Sequence, residues 1–194
     1  MQNDTPTGPA KADKPKRRLP GDPSPEDQIA SFIRVDQAGE YGARRIYEGQ
    51  LAVLGLEHPK AETIQHMYDQ ELYHLETFNH MLLERRIRPT ALQPVWHVAG
   101  FALGAATALM GEKAAMACTV AVEEVIDEHY AKQAEALGED EFDLRQTIEK
   151  FRAEELEHRD IGLEEGAEET PGYELLTAGI KAGSRLAIWL SERV

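Results

Sequence analysis

Apolar residues recur along most of this chain at three- and four-residue spacings, the period of a helix with one buried face. Ile29, Phe32, Ile33, Ile46, Leu51 and Leu54 form one stripe, with Ser24 and Pro25 marking its start and His58-Pro59 its stop, so a first helix is expected to about Leu56. Ile64, Met67, Leu75, Phe78 and Leu82 predict a second helix from about Lys60 to Arg86, ended by Arg88-Pro89. Further helices are expected from Glu112 to about Leu137, from Glu141 to about Leu163, and from Thr170-Pro171 onward. The last carries Leu176, Ile180, Gly183, Ala187, Leu190 and Val194 on one stripe and Lys181 and Arg185 on another face.

Two stretches depart from this pattern. Residues 1–24 have no apolar periodicity and end in Pro20-Gly21-Asp22-Pro23, which reads as a disordered, mildly basic tail. Residues 89–111 contain no Asp, Glu, Lys or Arg, a length that touches the threshold for a membrane span. Pro89, Pro94 and His97 interrupt the first third, so a shorter helix, buried or lying at an interface, is the preferred reading. It serves equally as an extra core helix or as the apolar mouth of a pocket for a lipid substrate. Gly100 and Gly104 stand four apart and permit close helix packing, a weak signal in a Gly/Ala-rich run.

At 194 residues and 42% hydrophobic content, the remainder, 25–194, is expected to be one domain. A formal charge of -14 argues against a nucleic-acid partner, whose phosphates are neutralised by Lys and Arg. The single cysteine, Cys118, excludes a disulfide or a four-cysteine metal site within one chain.

The chemistry lies in two Glu-x-x-His steps, Glu71/His74 and Glu155/His158, each placing two metal-ligand types on one helix face. With 25 Glu and seven His, two such steps are not surprising by chance. Their setting is more specific: Glu40 precedes Glu71 by 31 residues and Glu123 precedes Glu155 by 32. Each lone Glu is followed by a Tyr after seven residues (Tyr47, Tyr130) and a Gln after ten (Gln50, Gln133). The chain therefore reads as two half-repeats of an all-α four-helix bundle, with additional apolar and C-terminal helices. Its core would gather Glu40, Glu71, His74, Glu123, Glu155 and His158 around two metal ions, with Glu71 and Glu155 bridging by analogy with such bundles. Four carboxylates balance two divalent ions, and without metal they would repel and resist burial. Glu and His suit iron or manganese without deciding between them. Asp36 and Asp127 are candidates to accept a hydrogen bond from a ligating imidazole, and His129 and Tyr130 to contact substrate. His58, His66, His80 and His97 lack the paired spacing.

The segment Arg34-Val35-Asp36-Gln37-Ala38-Gly39-Glu40-Tyr41-Gly42-Ala43, continuing Arg45-Ile46-Tyr47, resembles the demethoxyubiquinone hydroxylase family. The likeness extends through Phe101 to Ala105, Ala115 to Glu124, Phe151 to Leu163 and Leu190 to Arg193, covering about residues 28–194. It implies a ferritin-like di-iron monooxygenase that uses O2 to hydroxylate the ring of a polyprenylated benzoquinol, with electrons from NADH directly or through a reductase. Matching the family motif places the iron ligands at the same six residues. It also implies a peripheral protein, expected on the cytoplasmic face of a bacterial inner membrane, with Phe101 and Leu103 as the membrane contact. Other ubiquinone-biosynthesis proteins and a second copy of the chain are possible partners. The competing reading is a ferritin-like iron-storage or ferroxidase protein.

Overall fold

The computed structural model describes Gly21 and residues 23–194, so nearly all of the expected tail lies outside the described residues. The rest is all-α: α1 (Pro25–Leu54), α2 (Ala61–Glu84), α3 (Gln93–Leu109), α4 (Glu112–Ala136), α5 (Phe142–Glu164) and α6 (Tyr173–Ser191). Ser24 and Asp27 cap α1 reciprocally, the Asp27 amide donating to Ser24 Oγ at 3.0 Å and the Ser24 amide to Asp27 Oδ2 at 3.3 Å.

Several ends fall short of the predicted ones, for local reasons. Helix α1 stops before Gly55, which turns at φ 83°, ahead of His58-Pro59. Arg86 takes the left-handed conformation (φ 55°) and closes α2 with Ile87 N–H to Leu82 O at 2.8 Å and Arg86 N–H to Leu83 O at 3.2 Å. Gly172, at φ 75°, delays α6 to Tyr173.

Helices α1, α2, α4 and α5 form a ferritin-like four-helix bundle. Tyr47 on α1 bonds Glu123 on α4 while Tyr130 bonds Glu40, so α1 and α4 run antiparallel. The α2–α5 bonds, His74 to Glu154 and Gln70 to His158, give the same sense. Two apolar clusters fill the bundle, one of Ile33, Phe78, Leu144, Ile148 and Phe151, the other of Ile64, Met67, Met116 and Val120. Each such side chain stabilises the fold by roughly 1.5–3 kcal/mol.

The connection from α2 to α4 carries α3, which lies parallel to α1 at close range. A Cβ on Gly104 would stand 1.9 Å from Ile46 O, one on Gly100 2.8 Å from Gly42 O, and one on Gly49 2.2 Å from Phe101 O. The weak four-residue glycine spacing therefore marks a backbone-to-backbone contact that no side chain fits. Helix α6 lies parallel to α4, tied by ion pairs of Lys181 with Glu124 and of Arg185 with Glu128 (3.1 Å). Among the described residues, no helix is long and apolar enough to cross a membrane.

Between α1, α3, α4 and α6 lies a cavity of about 580 Å³ with an almost wholly apolar wall. Gly39, Gly42, Leu103, Val122, Ile126 and Ile180 are among its lining residues. Trp96 Nε1–H donates to Ser191 Oγ at 3.1 Å, tying α3 to α6 beside it.

Candidate metal centre

Each bundle helix turns its acidic position inward because the flanking apolar stripe faces the core at the same helical phase. Glu40, Glu71, His74, Glu123, Glu155 and His158 are all buried. Their ligand atoms form two quartets, each within 4.8 Å: Glu40, Glu71, His74 and Glu155, and Glu71, Glu123, Glu155 and His158. Glu71 and Glu155 belong to both, the arrangement expected of carboxylates bridging two ions. The two groups fit a di-iron site.

The imidazoles face this cluster with Nδ1. That atom of His74 lies 3.0 Å from Glu155 Oε1 and 3.4 Å from Glu40 Oε2. In His158 it lies 3.1 Å from Glu155 Oε2 and 3.2 Å from Glu71 Oε1. The opposite nitrogens meet groups on the facing helix: His74 Nε2–H donates to Glu154 Oε2 (2.8 Å), and His158 Nε2–H to Gln70 Oε1 (2.9 Å). A carboxylate and an amide oxygen can only accept here, which keeps the proton on Nε2 and leaves Nδ1 for a cation. His74 also stacks on Phe151 at 3.9 Å between ring centres.

The terminal carboxylates are held crosswise. Tyr47 Oη–H donates to Glu123 Oε1 (3.0 Å), and Tyr130 Oη–H donates to Glu40 Oε1. The tyrosine of each half thus orients the lone Glu of the other.

Four buried carboxylate oxygens, Glu40 Oε2, both of Glu71 and Glu123 Oε2, accept no hydrogen bond among the described residues. Buried oxygens in that state are costly unless cations satisfy them, and the donor set is the one two divalent ions require. Burial pushes Glu71 and Glu123 well above the usual carboxylate range, and the neighbouring carboxylates push them further. For His74, burial opposes the charge, but the hydrogen bond to Glu155 and the nearby Glu40 carboxylate outweigh it and raise the ring to about 12. Burial opposes ionisation of Glu155 as well, yet the His158 and His74 bonds bring it down to about 2. Protons therefore balance charge in the metal-free core, and metal would displace them.

Two expected supporting residues act elsewhere. Asp127 accepts from Arg152 Nε at 2.6 Å, because one turn beyond Glu123 it faces the seam with α5. Asp36 is buried, but its partners are Gln133 (2.8 Å) and His129 (3.4 Å) on α4, since one turn before Glu40 it faces the seam with α4. Glu154 and Gln70 take the expected role instead. Both stand immediately before the Glu of a Glu-x-x-His step, a matched offset that could have revealed them. Tyr130 binds Glu40 and His129 the Asp36 pair, while Glu124 pairs with Lys181 outside the core. His97 Nδ1 lies 2.6 Å from Tyr41 Oη, and His58 and His80 sit beside Glu112 and Glu84.

Comparison with known proteins agrees with this geometry. The profile of ubiquinone biosynthesis protein COQ7 matches residues 27–191. A 3-demethoxyubiquinol 3-hydroxylase of Rhodospirillum rubrum is 61% identical over 177 residues, covering 91% of this chain and 84% of its own. The human NADPH-dependent 3-demethoxyubiquinone 3-hydroxylase, mitochondrial, is 56% identical over 170 residues, covering 86% and 78%. The 5-demethoxyubiquinone hydroxylase, mitochondrial, of Saccharomyces cerevisiae is 43% identical over 178 residues, covering 84% and 76%.

Proposed function

The chain belongs to the COQ7 family of ubiquinone biosynthesis proteins, and on that premise we propose that it hydroxylates the ring of a polyprenylated demethoxyubiquinol. It is a ferritin-like enzyme homologous to the demethoxyubiquinol hydroxylases, with a metal centre of the di-iron type. The observation that carries the reading is the buried pair of quartets beside an apolar cavity: Gly39 and Val122, in the cavity wall, immediately precede Glu40 and Glu123.

Glu40, Glu71, His74 and Glu155 would hold one iron, and Glu71, Glu123, Glu155 and His158 the other. Two ferrous ions there supply electrons and Lewis acidity for activating O2. The chain's own residues do the rest. Tyr47 and Tyr130 fix the terminal carboxylates, and Glu154 and Gln70 fix the imidazoles. The apolar clusters on either side keep bulk water out, and the cavity accepts an apolar ring with its polyprenyl tail. Electrons come from a reduced nicotinamide, NADH in our reading, either through the quinone itself or through a separate reductase.

The same reading makes the chain peripheral on the cytoplasmic face of a bacterial inner membrane, where such a quinol resides. Val98 and Leu109 on α3 and Leu175, Leu186 and Trp189 on α6 are exposed apolar side chains on the two helices that wall the cavity. Phe101 lies under Arg45 and Leu103 in the cavity wall, so the exposed residues are better candidates for the contact. Val98→Glu with Leu186→Glu should lower binding to anionic liposomes at unchanged iron content. Equal binding would remove α3 and α6 as the membrane face. Other ubiquinone-biosynthesis proteins, or a second copy, could share this surface.

Anaerobic single turnover tests the activity directly. The full chain is loaded with two Fe(II), mixed with the demethoxylated quinol and labelled O2, and the quinone analysed by mass spectrometry. A labelled ring hydroxyl is expected. Oxygen uptake with unchanged quinol and ferric mineral would overturn the proposal in favour of iron storage.

A further inference from the structure

The two half-repeats differ beside the Glu40 end of the site. Asp36 has a fully buried side chain and belongs to neither quartet. Its Oδ1 accepts from Gln133 Nε2 at 2.8 Å, and His129 Nε2 lies 3.4 Å from the same oxygen. The Gln133 amide also reaches His129 Nε2 at 2.8 Å, so one side-chain amide spans both groups. The His129 side chain retains 16% exposure, which connects the trio to solvent. On the inner side, Asp36 Oδ2, Gln133 Oε1 and Glu40 Oε2 are buried acceptors without a donor among the described residues. Asp36 stands one helical turn from Glu40, and Tyr130, the neighbour of His129, bonds Glu40.

The half-repeat counterparts of Asp36 and His129 are Thr119 and Ile46. Ile46 lines the apolar cavity, and Gln50, the counterpart of Gln133, donates to a backbone carbonyl, Ala115 O, at 3.1 Å. One side of the centre therefore carries an ionisable pair leading to solvent, whereas the matching position on the other side is apolar and opens on the cavity. Holding α1 against α4 does not require ionisable groups, since the Thr119/Ile46 side does without them. A buried carboxylate costs free energy that apolar packing would not.

We propose that His129 and Asp36 form a proton route from solvent to the Glu40 side of the metal centre. The inference rests on the hydroxylation reading. That reaction takes O2, a ring C–H, two electrons from the nicotinamide and two protons, and yields a ring C–OH and water. Protons must cross a core from which bulk water is excluded. In the neutral imidazole Nε2 accepts from the Gln133 amide; on taking up a proton from solvent His129 gives up that bond and passes the Nε2 proton to Asp36 Oδ1, while Gln133 goes on holding Asp36 in place. Asp36 in its neutral form then donates inward through bound water across one helical turn. Burial raises the Asp36 pKa, which suits a group that carries a proton inward.

The test uses Asp36→Asn, which keeps the shape and the Gln133 contact, and His129→Ala with and without imidazole. In the iron-loaded full chain both variants should lower kcat about a hundredfold with little change in KM. The solvent deuterium isotope effect on kcat should increase. Imidazole should restore His129→Ala and leave Asp36→Asn unchanged. A second arm needs no turnover: Co(II) is added to the metal-free chain, its visible absorption reporting site filling and a pH indicator reporting released protons. Both variants should release the wild-type number of protons more slowly, again with imidazole rescue of His129→Ala only. Wild-type release rates in both variants, loss of Co(II) capacity in parallel with kcat, or absence of imidazole rescue would overturn the route. If the wild-type chain does not hydroxylate the quinol while the Co(II) arm behaves as expected, the activity assignment fails and the proton path stands.

Discussion

Helices α1–α2 and α4–α5 present the same inner groups to the centre and different groups around it. Glu40 matches Glu123, Glu71 matches Glu155, His74 matches His158, and Tyr47 matches Tyr130. Beyond these, Gly39, Gly42 and Ala43 on α1 face Val122, Val125 and Ile126 on α4, all six lining one cavity. Gln70 in one half answers Glu154 in the other, so one imidazole donates to a neutral amide and the other to a carboxylate. Dinuclear binding constrains the ligands symmetrically, whereas access for a ring and for protons has to come from particular sides. The symmetric part of the bundle is the metal box, and the asymmetric part is its plumbing.

The largest effect should follow from breaking the shared element. Glu155→Ala removes a group common to both quartets, so iron should fall well below two per chain and hydroxylation to background while circular dichroism stays helical. Retained iron and activity would defeat the ligand assignment. Replacing the supporting residues should separate the halves instead. Glu154→Ala and Gln70→Ala should each weaken metal binding about 10- to 100-fold, the former more because a charged acceptor polarises its imidazole more strongly. Competition against a chelator reads this, and equal losses would mean that the asymmetry has no energetic content.

Next in size is the docking of α3. Gly104→Val would force a side chain into the Ile46 carbonyl and should destabilise the chain by about 3 kcal/mol or more. Urea unfolding of the metal-free chain measures it. An effect under about 1 kcal/mol would mean that α3 can shift off α1 at little cost.

Protonation should follow the metal box. Glu71, Glu123 and His74 bind protons more tightly in the folded metal-free chain than when unfolded, so they favour folding less as pH rises above their ordinary values of 4.5 and 6.5. Glu155, lowered to about 2, contributes stability that is lost as pH falls from 4.5 toward 2. The metal-free chain should therefore melt highest near pH 4–5 and lose about 5 °C or more by pH 8. Metal releases these protons, so the rise in Tm on adding Co(II) should grow over the same window. A metal-free Tm that increases from pH 6 to 8 would contradict the protonated core.

The six candidate ligands that the structure gathers were legible because their offsets are set within single helices: three residues from Glu to His, seven from Glu to Tyr. Partners across helices were not, because they depend on how far each pair slides along its seam. Asp36 and Asp127 had the right offset from a ligand, yet one meets His129 and the other Arg152. Glu154 and Gln70 hid among 25 glutamates and an unremarked Gln. Gly100 and Gly104 carried a spacing whose force appeared only once α1 lay 1.9 Å from a hypothetical Cβ. The early ends of α1 and α2 and the late start of α6 depend on positive-φ turns at Gly55, Arg86 and Gly172, and at Arg86 composition offered no warning.

The smallest expected effect is also the most discriminating for the cavity. Gly39 lies within α1, where glycine costs about 1 kcal/mol relative to alanine. At Gly104 backbone contact explains the glycine, but a Cβ at Gly39 would meet nothing within 4 Å and the residue has no positive φ. Packing and conformation therefore do not require it, and its half-repeat counterpart is Val122. What a side chain would remove is cavity space beside Glu40. Gly39→Ala should stabilise the metal-free chain by up to about 1 kcal/mol while raising KM for the quinol severalfold at unchanged iron content. Gly39→Val should raise KM further, although β-branching gives back part of the stability gain. Opposite stability changes in Gly39→Ala and Gly104→Ala would separate a glycine that keeps space for a ligand from one that admits a neighbouring helix. Stabilisation by Gly39→Ala with no change in KM would show that the quinol ring reaches the metal centre by another path.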